Sequence, residues 1–212
     1  MKLIYTAPIH GRHETVRKAH ALNKQAGIND FVYCATAKTG DRDVVESLHA
    51  EYCQSLQNNI NLKAQQAITK SRSMNPDAVI LMGSDNYIDH AAYIRIEKLL
   101  IEHDYIAFED CIFDDNGDLL LWPGYPKFHR REGEPAGAGK VVRLDLLGRL
   151  GWKVWSYGSE GSTDKVAHDR LMQHAKNPVT ISCVRDGVKL VDIKDQHSKT
   201  PISKFHYLTR YE

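Results

Sequence analysis

A five-residue apolar run, Ala78-Val79-Ile80-Leu81-Met82, stops at Gly83 and gives way to Ser84-Asp85-Asn86. No other feature of the chain narrows its fold as much. The run is rich in branched residues and too short for a core helix, so it predicts a strand buried on both faces. Such a strand needs helices above and below it, which means an α/β sheet. In open α/β sheets, ligands bind just beyond the carboxyl ends of the strands. Asp85 and Asn86 stand at such an end. A carboxylate beside an amide suits a divalent cation that itself holds a phosphate. The same pair also suits an ordinary Asp-Asn turn. This stretch alone leaves the two readings balanced.

The chain before it fixes the type of sheet. Lys2 to Ala7 predicts a first strand, closed by Pro8 and a polar loop through His10, Gly11 and Arg12. Val16, Ala19, Leu22 and Ala26 then recur at helical spacing until Gly27, and Asp30 to Ala35 predicts a second strand. Strand, helix, strand is a parallel unit with a right-handed crossover. The Ala7 to Arg12 loop therefore faces the same sheet edge as Gly83 to Asn86, and a nucleotide fits between them. Arg12 by itself reads equally as a solvated cation at a helix start.

Further along, Asp43 to Leu56 predicts one helix with Val44, Leu48, Tyr52 and Leu56 on a stripe, and Leu62 to Met74 predicts another. Lys63, Lys70 and Arg72 fall on the outer side of the second. Ala91 to Leu100 is helical in pattern, and Tyr105 to Phe113 reads as one strand. Asp115-Asn116-Gly117 signals a hairpin returning through Asp118 to Trp122, so the sheet is expected to be mixed.

Trp122 to Gly139 is irregular and rich in proline and glycine. It interleaves Trp122, Tyr125 and Phe128 with Lys127, His129, Arg130 and Arg131. Long loops in compact domains are functional or mobile. This mixture suits a sugar face, a phosphate or an unstacked base, or a surface excursion pinned by its aromatics. Lys140 to Leu144 leads into a helix ending at Gly151, and Trp152 to Tyr157 reads as extended. Ser162 or Thr163 caps a helix running to about Lys176, with Asp164 in its first turn. There the helix dipole favours an ionised carboxylate, for stability or for use as a base. Val179 to Val184 and Val188 to Ile193 suggest a closing strand pair around Asp186-Gly187, followed by a basic tail.

Composition excludes several classes. With 28 basic and 27 acidic residues there is no global attraction to nucleic acid or to an anionic membrane. The 4 cysteines form no C-x-x-C pair, so buried thiols are expected rather than zinc. No run approaches the ~20 apolar residues of a membrane span, and the amino terminus carries no secretory pattern. A cytoplasmic protein of one domain, 1–212, is expected.

Taken in order, these pieces resemble the GT-A-fold nucleotide-sugar glycosyltransferases. Their acidic turn, D-x-D or a relative, corresponds to Gly83-Ser84-Asp85-Asn86, in which only Asp85 is a carboxylate. Inverting members, similar to family 2, carry T-E-D-x-x-L-x-x-R-L. This chain reads Ser162-Thr163-Asp164-Lys165-Val166-Ala167-His168-Asp169-Arg170-Leu171, with Glu replaced by Thr163 and the first Leu by Ala167. Gly137-Ala138-Gly139-Lys140-Val141-Val142-Arg143 is similar to the acceptor-side segment of small bacterial and phage enzymes.

The resemblance implies a single GT-A-like α/β domain with a mixed, mainly parallel central sheet flanked by helices. Residues 1–100 would form a Rossmann-like nucleotide-sugar-binding half and 101–212 an acceptor and catalytic half. It implies Mn²⁺ or Mg²⁺ at Asp85 and Asn86, with Asp192 or His197 as the outside help a one-carboxylate turn needs. Ala7, Pro8, Arg12, Asp41, Lys63, Ser84 and Lys194 would hold a nucleotide-sugar donor, a UDP-sugar. Asp164 would be the catalytic base. Trp122, Tyr125, Lys127, Arg130, Arg131, Gly139 and Arg143 would meet the acceptor, either a hydroxymethylated base in phage-type DNA or a carbohydrate. Two rivals stand beside it. A sugar-phosphate nucleotidyltransferase would carry a glycine-rich loop after the first strand, which Ala7-Pro8-Ile9-His10-Gly11-Arg12 lacks. A non-catalytic nucleotide- or DNA-binding module is kept open by the reduced acidic turn.

Overall fold

The computed structural model of the protein describes residues 1–37, 40–155, 163–198, 200–205 and 207–211. Strand β1 (Leu3–Pro8), helix α1 (His13–Ala26) and strand β2 (Asp30–Thr36) form the expected unit, with β1 and β2 parallel. Helix α1 buries Val16, Ala19, His20, Asn23 and Ala26, close to the stripe read from its spacing. It stops at Gly27, whose φ of 121° an L side chain rarely adopts. Helix α2 (Asp41–Ser47) is followed by strand β3 (Glu51–Ser55), not by more helix. The exposed edge of β2 recruits β3 in parallel register, and that pairing overrides the apparent stripe; Leu56 is 91% exposed.

Helix α3 (Ile60–Ser71) starts on Asn59, whose side chain accepts from the Leu62 amide, and leads to strand β4 (Ala78–Leu81). All four residues of β4 are buried. Beyond the Gly83 turn come strand β5 (Asn86–Ile88) and helix α4 (His90–Leu99). The run from Tyr105 to Phe113 is two strands, β6 (Tyr105–Phe108) and β7 (Cys111–Asp115), broken at Glu109-Asp110. The buried Asp110 carboxylate causes the break, because it accepts from the Cys183 amide and the Ser182 hydroxyl. Strand β8 (Asp118–Trp122) completes the hairpin with β7.

Strand β9 (Lys140–Arg143) and helix α5 (Leu144–Arg149) follow the long loop. Residues 152–155 form no strand, and the remainder of the Trp152 to Tyr157 segment lies outside the described residues, as does the Ser162 cap. Helix α6 spans Thr163–His174. The closing strands do not pair with each other. Strand β10 (Pro178–Ile181) and strand β11 (Leu190–Lys194) are separated by helix α7 (Cys183–Asp186) and enter different sheets. A short strand β12 (Thr209–Arg210) ends the fold.

The larger sheet runs β10-β6-β9-β4-β1-β2-β3 and is parallel except for β9, which lies antiparallel between β4 and β6. The smaller runs β12-β8-β7-β11-β5. Strands from both sides of residue 100 enter each sheet. The expected α/β domain with a mixed, mainly parallel sheet is therefore the observed one. Cys34, Cys111 and Cys183 are buried free thiols. Among the described residues no helix is long and apolar enough to cross a membrane.

Candidate active site

The carboxyl ends of β1 and β4 open into a cleft of about 460 Å³. The Gly83 turn forms one wall. Asn86 is buried, and its Oδ1 accepts from the Gly83 amide at 2.7 Å. Its carbonyl accepts from Tyr5 Oη and Asn23 Nδ2, so β1 and α1 together hold the turn. Tyr5 Oη also donates to the Gly83 carbonyl at 2.6 Å. A Cβ at position 83 would meet Asn86 Oδ1 at 2.5 Å and Asp85 Oδ1 at 2.6 Å, which requires glycine. The Asn86 amide thus serves the turn itself, while the Asp85 side chain has Arg12 as its one side-chain partner among the described residues.

Arg12 donates to Asp85 Oδ2 at 2.5 Å, to Asp195 Oδ2 at 2.9 Å and to the Ile193 carbonyl at 2.9 Å. Its backbone φ is 54°, a left-handed conformation that costs of order 1 kcal/mol or more for a non-glycine residue. Three acceptors on one guanidinium hold it there. Arg12 is therefore not a free cation waiting for a nucleotide but the counter-charge of Asp85. Asp195, which also accepts from Thr15, has no local sequence signature. It is read only when β11 comes beside β5.

Asp192 lies on β11 opposite Asn86 and lines the same cleft. Its Oδ2 accepts from Lys194 Nζ at 2.7 Å, whereas Oδ1 is buried with no hydrogen-bond partner among the described residues. Burial raises this carboxyl to about 7, with the Asp85 charge pushing the same way and Lys194 and Arg12 opposing. Lys194 also lies 4.7 Å from the Phe113 ring centre and 5.3 Å from that of Phe205. His197 lines the cleft, its ring beside Gln196 Nε2. Among the described residues no group of three His, Cys, Asp or Glu side chains converges as a ready metal site. The donor set nevertheless fits a hard cation in another way. Mg²⁺-type ions are commonly held by one or two carboxylates together with substrate phosphates, and Asp85 with the unpartnered oxygen of Asp192 supplies two hard oxygens.

Helix α6 brings Asp164 to the opposite wall. Its Oδ2 would lie 2.7 Å from a Cβ at position 137, so Gly137 is what lets this carboxylate approach. Among the described residues nothing donates a hydrogen bond to it. Lys140 stands beneath, 2% exposed, donating to the carbonyls of Ala136 and Gly137.

Trp122, Tyr125 and Arg131 form the rest of this side. Tyr125 meets Trp122 edge-on at 4.9 Å and stacks on His129 at 4.9 Å, with the Arg131 guanidinium 4.5 Å above its ring. Residues 126–134 bond largely among themselves, through Pro126, His129 and Arg131 carbonyls and the Glu132 and Glu134 carboxylates. Lys127 and Arg130 are exposed on this loop and lie outside the cleft lining.

Of the donor residues read from the sequence, Pro8, Arg12, Lys63, Ser84 and Lys194 line the cleft. Lys63 is not on an outer face; it is 1% exposed and donates to the Ile9 carbonyl at 2.8 Å and to Asn58. Ala7 is wholly buried in β1. Asp41 is buried too, accepting from the Gly11 amide and from His13, so it shapes the loop from behind. Gly139 packs under Phe108 and Leu190, where a Cβ would come within 2.9 Å of both. Arg143 pairs with Asp145 at the far end of β9, in register with Ala78, away from the cleft.

No family model and no curated protein sequence matches the chain. Solved structures share its architecture. S. aureus TarS in complex with UDP-GlcNAc matches with a TM-score of 0.66 at 14% identity, over 93% of this chain and 60% of that one. A mannosyltransferase from Pyrobaculum calidifontis, PcManGT, in complex with GDP-Man and Mn²⁺, matches with a TM-score of 0.64 at 11% identity, over 93% and 58%. A 4-diphosphocytidyl-2C-methyl-D-erythritol synthase matches with a TM-score of 0.57 at 10% identity, over 85% and 88%. The chain spans about three fifths of the TarS and mannosyltransferase chains. At such identities the likeness is one of fold.

Proposed function

We propose that this GT-A-type fold works as a metal-dependent inverting glycosyltransferase, moving a sugar from a nucleoside-diphosphate donor, a UDP-sugar, to an acceptor hydroxyl. The observation that carries the reading is the cleft itself. One wall holds an acidic turn with its counter-charge, and the other presents Asp164 with no donor of its own among the described residues. On this reading residues 1–100 supply most of the donor side and 101–212 the acceptor side, with β11 of the second half adding Asp192 and Lys194 to the donor side. The reading places the protein in the cytoplasm, where nucleotide sugars are found.

Asp85 and Asp192 would hold Mn²⁺ or Mg²⁺, whose charge would offset that building on the departing diphosphate. His197, which lines the same cleft, stands in reserve as a ligand, whereas the Asn86 amide is taken up by its own turn. Arg12 holds the Asp85 carboxylate in place through its Oδ2. Lys194 and Lys63 add positive charge at the cleft floor, and Pro8 and Ser84 line the nucleoside side. Asp164 takes the acceptor proton as the hydroxyl oxygen attacks the anomeric carbon from the face opposite the diphosphate. The new carbon–oxygen bond forms as the bond to the diphosphate breaks, and the anomeric configuration inverts.

For the acceptor, exposed Lys127 and Arg130 beside the Tyr125 wall suit a phosphate-bearing strand with an everted base. A hydroxymethylated base in phage-type DNA, such as 5-hydroxymethylcytosine, is our first choice. A surface-polysaccharide or other carbohydrate acceptor is favoured by the near-zero net charge, which gives little non-specific grip on DNA. The test is nucleoside-diphosphate release from a panel of nucleotide sugars, with and without Mn²⁺, in the presence of hydroxymethylated DNA or oligosaccharides. The expected result is metal-dependent release with one donor and a sugar's mass gained by one acceptor. Release from no donor would overturn the reading. Pyrophosphate release from a nucleoside triphosphate and a sugar phosphate would favour a nucleotidyltransferase, the reading kept open by the near full-length match to the synthase.

A further inference from the structure

Lys140 is the first residue of β9, ahead of two fully buried valines, and is itself 2% exposed. A strand between β4 and β6 needs no cation there, and an apolar side chain of similar length would avoid the cost of burying a charge. The ammonium is occupied. It donates to the Ala136 carbonyl at 2.7 Å and to the Gly137 carbonyl at 2.5 Å. The same turn is tied on both flanks, by the Ala136 amide to the Phe108 carbonyl at 2.7 Å and by the Gly139 amide to the Leu81 carbonyl at 3.0 Å. Two neighbouring strand ends thus fix the ends of the turn, and Lys140 fixes its middle. That middle is Gly137, against which Asp164 Oδ2 rests.

We propose that Lys140 is a positioning residue for Asp164: its buried ammonium draws in the Ala136 and Gly137 carbonyls and so sets the peptide wall that aims the carboxylate into the cleft. The inference rests on the reading of Asp164 as the base. Four charged or titratable groups face Lys140: Asp164 and His168 from α6, and Arg131 and Glu134 from the long loop. Burial lowers the ammonium to about 8, with Asp164 pulling it back up. It is therefore cationic at neutral pH, and its charge-assisted grip on the two carbonyls weakens as pH rises past that value.

The test compares wild type, Lys140→Met, Gly137→Ala and Asp164→Asn in full-length protein, with the donor and acceptor found by the panel. Lys140→Met is expected to keep donor affinity and donor KM within about threefold while kcat falls about 30- to 100-fold, the scale of a small misplacement of a reacting group. Wild-type kcat is expected to decline above about pH 8, and Lys140→Met is expected to lose that decline. A merely structural lysine would not produce that change in pH profile. Should Lys140→Met fail to fold, Gly137→Ala disturbs the same wall with the lysine intact and is expected to give the same separation of kcat from KM. Wild-type kcat in either folded variant, with Asp164→Asn inactive, overturns this inference alone. A wild type that transfers nothing overturns both this inference and the function it rests on.

Discussion

The two carboxylates of the cleft are held in opposite ways. Asp85 is surrounded by internal partners: Arg12 takes its side chain, its carbonyl accepts from the Ile193 amide, and its turn is pinned by Tyr5 and Asn23. Asp164 receives no hydrogen bond among the described residues; it is carried by the first turn of α6 and lies against Gly137. A carboxylate anchored through one oxygen by a guanidinium is fixed in place while its other oxygen stays open, which suits the proposed holding of a cation. One whose lone pairs are open is able to accept a proton from an incoming hydroxyl. On the proposed function, the contrast between tied and bare matches a holding role for Asp85 and a reacting one for Asp164, which the residue types alone do not distinguish.

The contrast is open to attack from several sides. Asp164→Asn should remove transfer, lowering kcat by about 10²- to 10⁴-fold while donor affinity stays near wild type; calorimetric donor binding and nucleotide-release kinetics read the two separately. Near-normal kcat would mean that the bare carboxylate is not the reacting one. Asp85→Asn should act in the reverse sense. It should weaken donor binding in Mn²⁺ by about tenfold to a hundredfold, the scale of a lost charged hydrogen bond, and blunt stimulation by the metal. Asp104 supplies the limiting case of a fully tied carboxylate. It is 1% exposed and accepts from the Lys176 and Asn177 amides, with Arg149 as ion-pair partner. Burial would raise its pKa, but those partners outweigh burial and hold it below the usual carboxylate range. Its folded value lies below the unfolded one, so its stabilisation is full above about pH 4 and is lost as pH falls through the folded value. Asp104→Asn should leave kcat unchanged, lower the melting temperature at pH 7, and flatten the acid limb of stability measured by thermal melts from pH 7 to pH 2.

The parts of the fold that are legible in the sequence are those decided locally. β1, α1, β2 and β4 announce themselves because a buried strand or an amphipathic helix writes its environment into consecutive residues. β3 hides because Val44, Leu48 and Tyr52 fall four apart, while the free edge of β2 is visible only in three dimensions. The break between β6 and β7 hides because Asp110 finds its partners at Ser182 and Cys183, more than 70 residues later. The site divides along the same line. Asp85 and Asp164 stand out only once their order along the chain is set beside the glycosyltransferase motifs, because each position alone suits an ordinary turn or helix start equally well. Asp195 does not, since its meaning lies in Arg12, 183 residues away. Lys63 reads as an outward-facing donor contact and Lys140 as an ordinary lysine until the fold turns both inward.

The long loop between Trp122 and Ala136 has a consequence for how such a protein changes over generations. Its outer residues bond chiefly to one another, while its exit is tied to the sheet at Ala136, ahead of the Gly137 wall. The exposed tip at Lys127, Phe128 and Arg130 is therefore the part most open to exchange, whereas Arg131 over Tyr125, and Glu134 between Arg131 and Lys165, tie the rest of the loop to the wall that carries Asp164.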